Sequence, residues 1–229
     1  MSDSHPTIKI DEIIRTHRRT LSLEIQKDGR LIVRSPHQIP RNQIISFVQS
    51  KENWIKKKQE LVKAQYKDIP ERNYVTGEQF LFLGENYALE LVKSQEKPLI
   101  LKDKFYLAEK FQGNGKHIFE DWYKKQARQE IIYLVKLNSR KDRFSYTKVR
   151  ITSAKTRWGS CGSKGTLNFS WRLVMAPRDV ISYVVIHELV HLKIKNHSRT
   201  YWEEVKRLMP GYKHFQMWLK ENGHRLTIS

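Results

Sequence analysis

The chain has 229 residues and a formal net charge of +19, from 43 Lys and Arg against 24 Asp and Glu. A hydrophobic fraction of 39% and an aromatic fraction of 11% are typical of a globular protein and exclude a disordered one. No window approaches about 18 consecutive apolar residues, so we expect no membrane span.

Charge and cysteine content indicate a compartment and a class of partner. Residues 1–6 lack a basic start followed by an apolar run, which argues against a secretory signal. Cys161 is the only cysteine, so no intrachain disulfide can form, and both observations favour the cytoplasm. The positive charge favours nucleic acid, nucleotides or another polyanion as partner, although a lysine-rich surface can equally serve solubility alone.

The first half of the sequence predicts a β-rich region. Segments 21–25 and 31–33 alternate between apolar and polar residues, and Asp28–Gly29 between them predicts a hairpin turn. Apolar residues at a helical period predict a helix over 44–61. Residues 74–108 alternate short apolar runs with turn signals, which predicts further strands.

Residues 112–115, Gln-Gly-Asn-Gly, are the best linker candidate in the chain. We therefore expect two regions, 1–115 and 116–229. In the second region the pattern predicts a helix over 117–137 and strands over 146–153 and 167–175.

Three helices are expected near the C-terminus. Pro177 and Asp179 suit the start of a helix that continues to about Ile194. Ser198 suits the N-cap of the next helix, which should end at residues 209–211. A last helix is expected over 212–222, with Gly223 at its C-terminus.

The chemistry of the chain is expected at an HExxH motif, His187-Glu188-Leu189-Val190-His191. Residues i and i+4 of a helix share a face, so two imidazoles at this spacing can bind one Zn²⁺ at roughly 2.0–2.1 Å. Glu188 is rotated about 100° from His187 and flanks the metal, where it can take a proton from a water activated by the metal. The alternative is a pair of surface histidines beside a solvated glutamate.

His197 is the first candidate for a third ligand. It follows His191 by six residues, the spacing of HExxHxxGxxH sites, but Ile194 stands at the glycine position of that pattern. We expect Asn196 to supply the chain reversal, because asparagine tolerates positive φ. Glu203 and Glu204 remain as alternative carboxylate ligands, whereas His214 and His224 are expected to have surface or packing roles.

A second cluster of interest is residues 156–162, Thr-Arg-Trp-Gly-Ser-Cys-Gly. Arg157 and Ser160 are candidate substrate-binding residues, since a guanidinium can bind an anionic or carbonyl group. A structural turn with Trp158 and Cys161 in the core is the alternative, and Cys161 would need a nearby base to act as a nucleophile. Separately, Trp202, Phe215 and Trp218 are expected as core aromatics beneath the metal site.

The chain resembles the YgjP-like metal-dependent hydrolase family over about residues 20–225. The motifs that carry the resemblance are Arg157–Cys161, Asn168–Leu173, Pro177, Tyr183–Leu192, Asn196–Ser198, Tyr201–Trp202, Pro210–Tyr212 and Trp218–Leu219, with Leu31–Pro36, Trp54–Ile55 and Leu83–Gly84 in the first half.

The resemblance implies an α+β fold whose β-rich N-terminal half contains a helix and whose C-terminal half is zincin-like, with the HExxH helix packed on a small sheet. It also implies that His187, His191 and His197 bind zinc and that Glu188 is the base. The family is similar to the WLM and SprT metallopeptidases, which act on proteins crosslinked to DNA. A pyrophosphatase activity on UTP has also been attributed to a member.

Three functions follow from these residues. The first is a zinc metallopeptidase whose peptide substrate pairs along a strand edge, such as that of segment 167–175. The second is a nucleotide phosphohydrolase that uses the same metal and binds phosphates through Arg157 and lysines; three histidines suit zinc better than magnesium. The third is a nucleic-acid-associated protein with a structural metal, which a single cysteine disfavours.

Overall fold

The computed structural model describes residues 8–26, 28–66 and 71–228. The N-terminal residues 1–6, on which the expectation of no secretory signal depends, lie outside this part. The chain forms two compact units, Met1–Pro70 and Glu71–Ser229. The predicted division between residues 115 and 116 stays a prediction, and both residues lie inside the second unit. The α+β fold class is confirmed by helices and small mixed sheets within the described residues.

The first unit contains a three-stranded sheet followed by two helices. The strands are β1 (Glu12–Thr16), β2 (Ser22–Ile25) and β3 (Leu31–Pro36), in the order β1-β3-β2. β1 is parallel to β3, and β2 is antiparallel to it. Gly29 has a φ of +85°, as the predicted turn between β2 and β3 requires.

The helical segment of the first unit differs from the single predicted helix. It is divided into α1 (Arg41–Ser50) and α2 (Glu52–Tyr66). Lys51 between them has φ −113° and ψ 13°, which ends the first helix. Side chains from β3 and both helices form a separate hydrophobic core: Leu31, Val33, Ile44, Val48 and Ile55.

The second unit begins with a four-stranded sheet, which confirms the strands predicted within 74–108. The strands are β4 (Gln79–Phe82), β5 (Glu85–Val92), β6 (Leu99–Leu101) and β7 (Phe105–Ala108), in the order β4-β5-β7-β6.

The predicted linker at 112–115 is wrong. Residues Glu109–Asn114 form a 3-10 helix, and α3 (Gly115–Lys141) follows at once. A Cβ on Gly115 would lie 2.5 Å from the ring of Tyr74, so this glycine serves close packing rather than flexibility.

A three-stranded sheet follows, with β8 (Lys148–Thr152), β9 (Gly159–Cys161) and β10 (Thr166–Ser170) in the order β8-β10-β9. β10 is parallel to β8 and antiparallel to β9, so it is paired on both sides. It therefore cannot offer the free edge that was expected of segment 167–175. The strand also ends earlier than predicted, because Trp171–Met175 form a 3-10 helix.

The last part of the chain is helical, as the sequence predicts. It consists of α4 (Arg178–Val190), α5 (Arg199–Leu208), α6 (Tyr212–Asn222) and a 3-10 helix at Gly223–Arg225. Ser198 caps α5, and its side chain accepts a hydrogen bond from the backbone N–H of Tyr201 at 3.4 Å. None of the described helices is long and apolar enough to cross a membrane.

Candidate metal centre

Helix α4 positions the first half of the HExxH motif. His187 and Glu188 lie in its last turn, and His191 directly follows its last residue. Val185, Leu189 and other apolar side chains of α4 are buried in the core, which fixes the orientation of the helix. The imidazole rings of His187 and His191 consequently lie side by side, with centroids 5.0 Å apart.

The chain reverses after α4 and returns His197 to the same face. The backbone N–H groups of Lys193 and Ile194 both donate to the carbonyl of Val190, at 3.0 and 2.9 Å, which tightens the last turn. Asn196 is not among the described residues with positive φ, so the expectation that it supplies the reversal is wrong. The reversal is made without positive φ at any described residue between His191 and His197.

The three histidines converge on one point. The Nε2 atom of His197 lies 3.1 Å from Nε2 of His191 and 3.2 Å from Nε2 of His187. A tetrahedral Zn²⁺ with Zn–N bonds of about 2.0–2.1 Å separates its ligand nitrogens by roughly 3.3 Å. These residues therefore fit a metal ion, and they form the one such histidine, cysteine or carboxylate cluster in the described part of the chain.

The protonation states of His187 and His191 favour the binding of a cation. Burial, followed by the proximity of His191 and His197, lowers the pKa of His187 to about 3. Burial also lowers the pKa of His191. Nδ1 of His191 lies 3.0 Å from the carbonyl oxygen of Ile194, which can only accept, so the ring proton is on Nδ1 and Nε2 presents its lone pair.

Aromatic side chains from α5 and α6 hold the rings in place. Tyr201 is fully buried, stacks on His191 with centroids 4.5 Å apart, and donates its hydroxyl to the carbonyl of His187 at 3.0 Å. The ring of Trp202 lies between His197 and Tyr212, at centroid distances of 5.6 and 5.4 Å and nearly parallel to both. This stack limits the movement of His197, which stands on a loop and is exposed.

Glu188 is a buried carboxylate, only 4% exposed, and it faces strand β9. A Cβ on Gly159 would come within 2.5 Å of its Oε1, so only glycine leaves room for this side chain. Burial raises the pKa of Glu188 to about 8, and the charge of Arg157 opposes the shift. Glu188 and His187 line a cavity of about 260 Å³ whose other walls include Trp158, Tyr183 and Leu219.

Arg157 and Ser160 lie together at a second, more polar cavity of about 160 Å³. It shares Trp158 and Gly159 with the cavity that contains Glu188. Asn168 of β10 lines it as well and donates to the carbonyl and the hydroxyl of Ser160, at 3.4 and 3.3 Å.

Comparison with protein-family models identifies the family of this chain. The model described as YgjP-like, metallopeptidase domain, matches residues 19–222. The chain belongs to the YgjP-like family. Membership supports a metal-dependent hydrolase of the metallopeptidase type and implies a bound metal ion.

Two further comparisons accompany the YgjP-like match. The crystal structure of the metallopeptidase zymogen of Pyrococcus abyssi abylysin is similar over 39% of this chain and 93% of that chain, with 24% identity and a TM-score of 0.36. No curated protein matches this chain.

The alternative ligands in this YgjP-like chain are engaged elsewhere. Glu203 pairs with Arg199 at 2.7 Å, and Glu204 pairs with Arg207 at 2.8 Å. Neither belongs to the histidine cluster.

The sequence did not predict the roles that three residues have in this site. Tyr201 and Tyr183 look like ordinary core residues in the sequence, and no local pattern marks their contacts with the histidines. Gly159 had a signal, because it lies in a glycine-rich turn, but its contact with Glu188 joins residues 29 positions apart.

Proposed function

We propose that this chain is a zinc-dependent peptidase in which His187, His191 and His197 hold the metal and Glu188 is the general base. The observation that carries the proposal is the convergence of three Nε2 atoms beside a buried carboxylate.

The donor set favours zinc over the hard divalent cations. Imidazole nitrogen suits zinc, whereas magnesium and calcium prefer oxygen ligands. Three protein ligands also leave a fourth position for water or substrate, as catalytic zinc sites do. Bound zinc would lower the pKa of a water to about 7 and polarise the scissile carbonyl.

Glu188 moves the proton in this scheme. Its carboxylate accepts the proton of the attacking water and delivers it to the leaving amine. Burial raises the pKa of Glu188 to about 8, and a cation bound by the adjacent histidines would lower it again, which favours the carboxylate form. Gly159 keeps the carboxylate where this transfer can occur.

The substrate is proposed to lie along β9. Among the described strands β9 pairs with β10 alone, so its other edge is free for an extended peptide. Because Gly159 at the start of β9 touches Glu188, a peptide on this edge would lie near the base.

Nucleoside triphosphate hydrolysis at the same site is the second candidate. The net charge of +19 and the exposed guanidinium of Arg157 favour it, because both attract phosphates. Glu188 would then activate the water that attacks a phosphoanhydride bond.

The test is Glu188→Gln in the full chain, with Glu203→Gln as the control at an exposed carboxylate. Zinc-loaded wild type, offered casein and a nucleoside triphosphate panel, should turn over peptide bonds. Glu188→Gln should keep its zinc and lose about 10²-fold to 10⁴-fold in rate, while Glu203→Gln retains both. Loss of zinc in Glu188→Gln would make Glu188 a ligand, and turnover of nucleotides alone would select the second candidate.

A further inference from the structure

The polar cavity beside the candidate metal centre has the composition of an anion site. It is lined by Arg157, by the polar side chains of Thr152, Ser160, Asn168 and Ser170, and by no Asp or Glu. Because the lining has one positive charge and no carboxylate, the cavity attracts anions; the carboxyl group of Glu188, whose pKa the charge of Arg157 lowers, lies outside this lining.

Arg157 is free to bind a ligand there. It makes no ion pair or hydrogen bond with any other described residue, whereas Arg178 and Arg207 each bind a carboxylate. Its guanidinium therefore keeps its full fork of N–H donors, which matches the two oxygens of a carboxylate or phosphate.

The hydroxyl of Ser160 adds a second donor. Asn168 donates to this hydroxyl oxygen at 3.3 Å, so the hydroxyl proton remains available for an acceptor in the cavity. Ser170, in contrast, already donates its hydroxyl to the carbonyl of Ala154 at 2.8 Å. The free donors are thus those of Arg157 and Ser160.

The size of the cavity limits what it can hold. Pockets for drug-sized ligands measure about 300–1,000 Å³, and this one measures about 160 Å³. It accommodates one functional group rather than a whole substrate. Because Trp158 and Gly159 line both this cavity and the one with Glu188, that group must lie close to the bond that is cut.

We propose that Arg157 and Ser160 form a subsite for an anionic oxygen group of the substrate, which is the terminal carboxylate of a short peptide or a phosphate. The proposal rests on the proposed hydrolytic site and deepens it, since the enzyme would cut near a charged end of its substrate. A substrate whose end is neutral would lose this anchor.

The experiment compares binding of uncleaved ligands to zinc-loaded Glu188→Gln protein by isothermal titration calorimetry. The ligands are one short peptide as the free acid, the same peptide as the C-terminal amide, and inorganic phosphate. Each is titrated into the protein with and without Arg157→Gln. Lys155→Gln is the matched control, because Lys155 is an exposed cation two residues away that does not line the cavity.

The free acid should bind about tenfold or more tightly than the amide, and Arg157→Gln should remove that preference while Lys155→Gln keeps it. Phosphate binding that Arg157→Gln abolishes, together with equal binding of both peptides, would support the subsite and select phosphate as its ligand. Equal weakening by both variants, or no preference for any anion, would overturn the proposal. A preference for the anion in these titrations, together with a zinc-loaded wild type that hydrolyses neither peptides nor nucleotides, would refute the proposed function and leave the subsite standing.

Discussion

Gly159 and Glu188 approach each other so closely that a methyl group on the glycine would lie 2.5 Å from Oε1 of the carboxylate. The contact joins the edge strand β9 to the last turn of α4. It fixes the position of the proposed base relative to the histidines, and it explains why a glycine stands at the start of β9.

Gly159→Ala should therefore displace Glu188 and reduce the rate of hydrolysis by roughly 100-fold, since misplacement by about 1 Å has an effect of that size. Zinc content should stay unchanged, because the three atoms nearest to the added Cβ all belong to Glu188 and none to a histidine. The control is Gly162→Ala, where the added Cβ meets its nearest atom at an ordinary 3.5 Å. A wild-type kcat in Gly159→Ala would contradict the assignment of Glu188.

Tyr201 should contribute to stability through its ring more than through its hydroxyl. Tyr201→Phe removes the hydrogen bond to the carbonyl of His187 and should lower the free energy of unfolding by about 1 kcal/mol. Tyr201→Ala removes a fully buried ring and should lower it by about 3–5 kcal/mol. Chemical denaturation of both variants checks this order, which equal effects would contradict.

Trp202 should support metal binding without touching the metal. Its ring stacks on His197, so Trp202→Leu should leave that imidazole less well oriented and weaken zinc affinity by about 10-fold to 100-fold. Trp54→Leu is the control, because Trp54 is half exposed and lies in the first unit. Competition with a zinc chelator measures both, and unchanged affinity in Trp202→Leu would show that the stack has no such role.

The turn between β4 and β5 should stabilise the segment that leads into α4. Gly84 has a φ of +90°, and a Cβ there would lie 2.9 Å from Pro177, just before the helix. Gly77 has a similar φ of +97° but open space around it. Each Ala substitution should cost about 1–2 kcal/mol in backbone strain, and Gly84→Ala should cost more because of the clash. Equal melting temperatures for the two variants would argue against the clash.

Local patterns predicted most of the helices and the motif that they carry. Ser198 was predicted as an N-cap from its type and position, and the hydrogen bond from Tyr201 confirms it. Gly29 was also predicted in a turn from its residue type and position, because glycine adopts positive φ readily, and its φ is positive.

Features that depend on distant residues could not be predicted. Gly115 resembles a linker in the sequence, but it is required by the ring of Tyr74, 41 positions away. Segment 171–175 continues the apolar run of a strand, yet it forms a 3-10 helix in which Trp171, Leu173, Val174 and Met175 are buried. The free strand edge was expected on segment 167–175, but β10 lies in the centre of its sheet. Strand order depends on pairing between distant segments, which the local pattern does not show.

The central claim is that His187, His191 and His197 together hold one zinc ion, and metal content tests it most directly. Inductively coupled plasma mass spectrometry should find about one zinc per chain in the purified wild type. His197→Ala should lose it, and His214→Ala, which changes a histidine outside the cluster, should keep it. No uptake of zinc by the wild type, even when zinc is added, or full retention in His197→Ala, would contradict the account.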